Sequence, residues 1–215
     1  MNNRNIVAAL AVLLYAAFLA VSWTNGTFKY YAADAVFSAA FILFLHSTFK
    51  YWKLNVPIYT LLALGFASHL MGIFGWYSNS PLPVQWDHVT HGFPLFAFAL
   101  FLFNFATPWM DRTFRSKKTI GVLAFVLLAT LGIGAVIENI EFAGFLAFGF
   151  GQGALFMGGP GDGLPDGELQ EAILEAGGGY WNTEMDLVWN ALGAIAGIAL
   201  MSIVRFRKPT PSRTA

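Results

Sequence analysis

The chain has no cysteine and very little charge. Without cysteine there is no disulfide, no thiolate metal site and no cysteine nucleophile, and the redox compartment is left open. Only 11% of its 215 residues are Asp, Glu, Lys or Arg, under half of the roughly 25% typical of a soluble domain. A water-facing surface cannot be assembled from so few charges. Basic and acidic residues cancel to a net charge of zero, so no excess of one sign points to nucleic acid or to an acidic partner. No internal repeat is visible and no stretch reads as a separate soluble domain. What the chain has in quantity is apolar: 57% hydrophobic and 17% aromatic residues, including 22 Phe, in long blocks without the polar gaps of an amphipathic soluble helix. Its natural solvent is lipid.

Crossing a bilayer takes a helix of about 20 mostly apolar residues, because backbone groups must be satisfied internally where water is absent. Six segments qualify: about Ile6–Trp23, Tyr31–Thr48, Val56–Tyr77, Trp86–Thr107, Thr119–Phe142 and Met185–Phe206. The expected fold class is therefore all-α, a polytopic integral membrane bundle of six transmembrane helices forming one domain over residues 1–215. Short cytoplasmic loops hold an excess of Lys and Arg. Here Arg4, Lys50, Lys53, Arg112, Arg115, Lys117, Lys118, Arg205, Arg207, Lys208 and Arg213 fall on one side, with Lys29 alone on the other. That bias predicts cytoplasmic N- and C-termini in a multi-pass protein of the inner or plasma membrane. A cleaved signal peptide over Met1–Gly26 is the competing reading; its apolar run is long for one and no clear A-x-A site follows. Ala143–Glu184, Gly-rich and acidic with no Lys or Arg, reads as an extracytoplasmic loop around a short helix near Gly167–Glu175. The stretch Phe142–Phe156 before that helix continues the fifth span or lies in the interface.

This orientation turns sequence position into depth. Asp34, Asp87 and Asp186 lie at the outer ends of spans two, four and six, with His88 and His91 just after Asp87. Glu138 and Glu141 come 20 or more residues after Lys118, which at about 1.5 Å per residue brings them near the outer face. His69 lies in the outer half of span three, and His46 near the inner end. Residues three or four apart share a helix face. Asp87 with His91, Glu138 with Glu141, and Asp186 with Asn190 can thus all face one point between spans four, five and six. Carboxylates and imidazoles at membrane depth are costly unless paired, hydrated or bound to a cation. Four carboxylates facing one another require a divalent cation, a shared proton or cationic histidines to relieve their repulsion.

Plainer readings exist. Asp87 can be an N-cap before His88, and Thr183–Asp186 has capping-box spacing. Asp34 can be solvated at a helix end, His88 can be interfacial, and His69 can be a hydrogen-bonded packing residue. Gly193 and Gly197 form a G-x-x-x-G face for close helix approach, and Pro94 is expected to loosen span four and free a carbonyl beside His91. Trp23, Trp76, Trp86, Trp109 and Trp181 stand where interfacial anchors stand.

At Trp86–His91 (W-D-H-V-T-H), Glu138–Glu141 (E-N-I-E) and Trp181–Gly193 (W-N-T-E-M-D-L-V-W-N-A-L-G) the chain resembles the YjdF-like bacterial inner-membrane proteins, whose function is uncharacterised. It is more distantly similar to VanZ-like membrane proteins, which share the order D-x-x-x-H, E-x-x-Q, D-x-x-x-N-x-x-G; here Glu141 stands in place of the Gln and His88 where Lys is frequent. The resemblance implies an architecture and a shared polar constellation.

Three functions compete. The first is an enzyme acting at the outer leaflet on a lipid or lipid-linked substrate. Mg²⁺, Mn²⁺ or Zn²⁺ would be held by Asp87, His91, Glu138, Glu141 and Asp186, with Glu138 or Glu141 as base, His91 as ligand or acid, and Asn190, Asp34, His69 and His88 in support. The second is a non-enzymatic scaffold or partner-binding protein whose polar cluster locks helices together. The third is an ion- or proton-coupled transporter, disfavoured because Asn104 and His46 are the main polar candidates in the inner halves of the helices. The bilayer is the one partner implied, and nothing sets an oligomeric state.

Overall fold

A computed structural model describes the backbone of residues 2–148 and 178–207 and the side chains of residues 2–144 and 183–207. It contains helices α1 (Asn3–Thr24), α2 (Phe28–Ser47), α3 (Val56–Leu70), α4 (Trp86–Ala106), α5 (Lys117–Phe148) and α6 (Gly178–Phe206), and no strand among the described residues. Six helices are long and apolar enough to cross a membrane. Of the acidic loop expected over Ala143–Glu184, residues 143–148 are helical in α5 and 178–184 in α6; the remainder, with the short helix expected near Gly167–Glu175, lies outside the described residues.

Local chemistry sets the helix ends. The Asn2 side chain accepts from the Arg4 amide and the Asn55 side chain from the Ile58 amide at 2.9 Å, each satisfying a donor that a helix N-terminus leaves open. α3 ends at Leu70, short of the Tyr77 expected, and tightens into a 3-10 turn over Met71–Phe74. Gly75 then turns the chain in the left-handed region, at φ 75°, a conformation glycine adopts without steric cost. Tyr77 consequently lies in the loop beyond the helix. Gly72 makes room for it: a Cβ there would lie 2.5 Å from the Tyr77 ring and collide with the Tyr31 hydroxyl.

The basic segments meet at one end of the bundle. Arg4 lies over the Phe49 ring, Asn104 of α4 donates to the Lys53 carbonyl, and Arg205 near the end of α6 reaches the carbonyls of Thr107 and Met110 at 3.4 Å. At the other end Asn25 donates to the Ile73 carbonyl, and the Trp86 indole N–H to the Ser68 carbonyl, each at 2.9 Å.

α3 and α4 form the centre, with 67% and 56% of their spanning windows buried, whereas α5 has 17%. Leu13, Val36, Phe125, Leu128 and Ile203 are exposed on outward faces, as a lipid solvent allows. Lipid tails are as apolar as leucine, so helices there associate through close packing and hydrogen bonds. Both devices are present. The Tyr15 hydroxyl donates to the Ala63 carbonyl at 2.7 Å and the Tyr59 hydroxyl to the Ile42 carbonyl at 3.0 Å, tying α1 and α2 to α3. α6 makes its most extensive contact with α4. A Cβ on Gly193 would collide with the Gly92 carbonyl oxygen, and one on Gly197 would lie 2.7 Å from the Phe96 carbonyl oxygen. The G-x-x-x-G face thus lets two backbones touch. α4 continues as one α-helix through Pro94, whose ring packs beside Gly65 of α3. Trp23 and Trp109 are exposed as anchors are, but Trp86 is buried, its indole N–H satisfied by Ser68 and its ring edge-on to Trp76.

Candidate functional site

His91, one turn into α4, is 5% exposed. Its Nδ1 lies 3.3 Å from a Glu138 oxygen on α5, and its Nε2 lies 3.5 Å from an Asp87 oxygen and 3.7 Å from an Asp186 oxygen on α6. One imidazole therefore faces carboxylates from three helices. Two overlapping sets of ligand atoms can hold a metal ion: Asp87, His91 and Asp186, and His91, Glu138 and Glu141, with the atoms of each set within 4.8 Å of one another. Glycines on the helix faces permit this convergence. Gly193, two turns beyond Asp186 and on the same face, seats α6 on Gly92, the neighbour of His91. Gly134, one turn before Glu138, leaves room for Asn190, since a Cβ there would be 2.8 Å from the Asn190 Nδ2.

The cluster has too little positive charge for its carboxylates. Two unit charges 4 Å apart interact by roughly 4 kcal/mol at an effective dielectric near 20, so one imidazolium cannot offset four ionised carboxyl groups. Protons or a cation must supply the remainder. Glu138 Oε1 is buried with the 3.3 Å ion-pair approach of His91 Nδ1 but no bond of hydrogen-bond geometry, and both polar side-chain atoms of Asn190 are buried and, among the described residues, make no hydrogen bond. Buried polar atoms left unsatisfied are costly. An oxygen-rich set with one imidazole suits a hard or borderline divalent cation.

A second constellation lies apart from the first. Asp34, in the second turn of α2 and 1% exposed, places Oδ2 at 3.1 Å from His69 Nε2. His69 Nδ1 lies 2.6 Å from the Tyr77 hydroxyl. With a neutral imidazole beside an ionised carboxylate, which only accepts, His69 donates through Nε2 and its Nδ1 accepts the Tyr77 proton. Asp34 is therefore not a solvated helix end, and Asp34 and His69 belong to this chain instead of the His91 cluster.

The two constellations share a cavity of about 570 Å³, in the range of small-molecule sites. His69, Tyr77, Asp87, Thr90, His91 and Glu141 line one end; Phe44, Leu45, Trp52, Phe101 and Leu102 line the other. Its long walls come from α2 and α5, through Phe37, Phe41, Ile133 and Val136. A hollow of about 420 Å³ shares Phe37, Val136 and Ile140 with it and extends to Asp34 and Asn139.

Two plainer readings change. α6 begins at Gly178, so Asp186 lies inside the helix and cannot cap it. Asp87 stands in the first turn of α4, but Gln85 holds the N-cap position, and the Asp87 carboxylate turns to His91. His88 stacks on Trp189 with ring centroids 4.9 Å apart, on another face of α4 from the cluster. Tyr77 is the residue that sequence reasoning missed. It lies in a loop where no helical spacing applies, and an aromatic eight residues after His69 carries no signal of contact.

No curated protein matches the chain, and no solved structure does. A family model matches residues 6–207, nearly the whole length, and by it this six-helix chain belongs to the family described as Predicted membrane protein (DUF2238).

Proposed function

We propose that the protein is a divalent-cation-dependent enzyme acting on a lipid or lipid-linked substrate at the outer leaflet, with both termini cytoplasmic. The observation that carries this reading is His91 meeting carboxylates from three helices at the polar end of an otherwise apolar cavity. From His91 to Leu102, both lining the cavity, α4 rises about 16 Å, close to half of the roughly 30 Å hydrocarbon core. A chain from one leaflet fits that depth with its head at the cluster. Asp87, His91 and Asp186 would hold the cation, which would polarise a phosphoryl or carbonyl oxygen, and Glu138 or Glu141 would take up the proton released. The apolar end of the cavity disfavours an ion pathway. The YjdF-like resemblance fits the family and assigns no activity.

The test is metal analysis of the detergent-purified chain. About one Mg, Mn or Zn ion per chain in wild type, lost in Glu138→Gln and Asp87→Asn, is the expected result. A wild-type protein without metal would sink the metal-dependent reading and favour a structural lock between α4, α5 and α6. Because the chain lacks cysteine, Ser78→Cys and Thr113→Cys variants report sidedness directly: an impermeant thiol reagent added outside should label only the first.

A further inference from the structure

We propose that Tyr77, His69 and Asp34 form a second reactive station in the shared cavity, in which the Tyr77 oxygen is a nucleophile toward an electrophilic ester carried on a hydrocarbon chain. The station is built from the two contacts of the His69 ring. Asp34 orients His69 through Nε2, and in the neutral imidazole this leaves Nδ1, 2.6 Å from the Tyr77 hydroxyl, to take the phenolic proton. A buried acid, an imidazole and a hydroxyl in that order are the parts of an activated nucleophile. Two buried phenols differ in kind: Tyr15 and Tyr59 donate to backbone carbonyls, which cannot take a proton. Tyr77 and His69 also line the cavity that holds Asp87, His91 and Glu141, whereas a purely structural tie needs no access to it. In the step, the Tyr77 oxygen bonds to the acyl or phosphoryl centre and the leaving group departs with its electron pair. The phenolic proton passes to His69 Nδ1, and Asp34 balances the imidazolium.

The inference shares with the proposed function the amphiphile in the cavity and is independent of the metal, so labelling and metal analysis fail separately. The probe is hexadecylsulfonyl fluoride, added to the full chain in detergent beside the short phenylmethylsulfonyl fluoride. Attack forms an O–S bond and expels fluoride, and peptide mass spectrometry reads each tyrosine. Tyr77 should react with the long probe on the order of 100-fold faster than exposed Tyr51, the low end of what a positioned base contributes. In His69→Gln the rate should fall to that of Tyr51, and in Asp34→Asn it should fall part of the way. Continued protection of buried Tyr15 and Tyr59 reports that each variant is folded. If His69→Gln exposes them, the Asp34→Asn comparison decides. Tyr77 reacting no faster than Tyr51, or equally fast in the folded variants, would overturn the proposal. Equal rates with the short probe would overturn its hydrocarbon-chain part.

Discussion

The two polar constellations sit in one cavity, yet they solve the problem of buried charge in opposite ways. In Asp34–His69–Tyr77 one imidazole meets one carboxylate and one hydroxyl, each at hydrogen-bond distance. Around His91 the carboxylates outnumber the imidazole, and the Asn190 amide is left without hydrogen bonds among the described residues. A chain in which a carboxylate, an imidazole and a hydroxyl meet one another carries no excess of carboxylates. An excess of carboxylates at membrane depth calls for a proton or cation from outside, which is why the ion is proposed at His91 and not at His69.

The largest test of that contrast is His91→Ala. Removing the imidazole leaves Asp87, Glu138 and Asp186 facing one another, and breaking a buried charged group in this way costs about 3–5 kcal/mol. Unfolding in detergent should report it as a large loss of stability that added divalent metal only partly restores. Gly193→Ala comes next. Its Cβ meets the Gly92 backbone, which cannot step aside, so overpacking of about 1–3 kcal/mol is expected, together with weaker metal retention as Asp186 moves from His91. Tyr77 labelling should survive that variant, because the contacts from Tyr77 to His69 and from His69 to Asp34 are made between α2, α3 and the loop after α3. Tyr77→Phe removes the hydrogen bond to His69, a loss worth about 1 kcal/mol, with the metal content unchanged. At the bottom stands Asp111→Asn. Its 3.9 Å pairing with Lys118 is solvent-exposed, and a change within about 0.5 kcal/mol is expected. A metal content that falls in Tyr77→Phe would merge the two constellations into one site.

Much of the His91 cluster was legible because helical spacing is a local property. Asp87 with His91 and Glu138 with Glu141 are three or four residues apart, and any helix puts such pairs on one face. Asp186 was legible as a polar residue at matching depth, and the alternative that it merely caps its helix falls because the start of α6 at Gly178 precedes it by two turns. Asp34 and His69 were placed at similar depth and still not paired. They are 35 residues apart on different helices, and depth says nothing about which way a helix is rotated. Trp86 was misread for the same reason: its position at a span end was right, while its burial depended on Ser68 and Trp76.

From the amino acids alone follow the lipid-facing class, the number of apolar helices and the intra-helical polar pairs. Each depends on length, composition or a 3.6-residue period, and none requires knowing a neighbour. Only the tertiary structure decided that α6 lies backbone to backbone on α4 and that Gly72 and Gly75 turn Tyr77 back to His69. The same holds for the two polar groups that share one cavity. Those outcomes rest on helix rotation and on the space left by a missing Cβ, which exist only once one surface meets another.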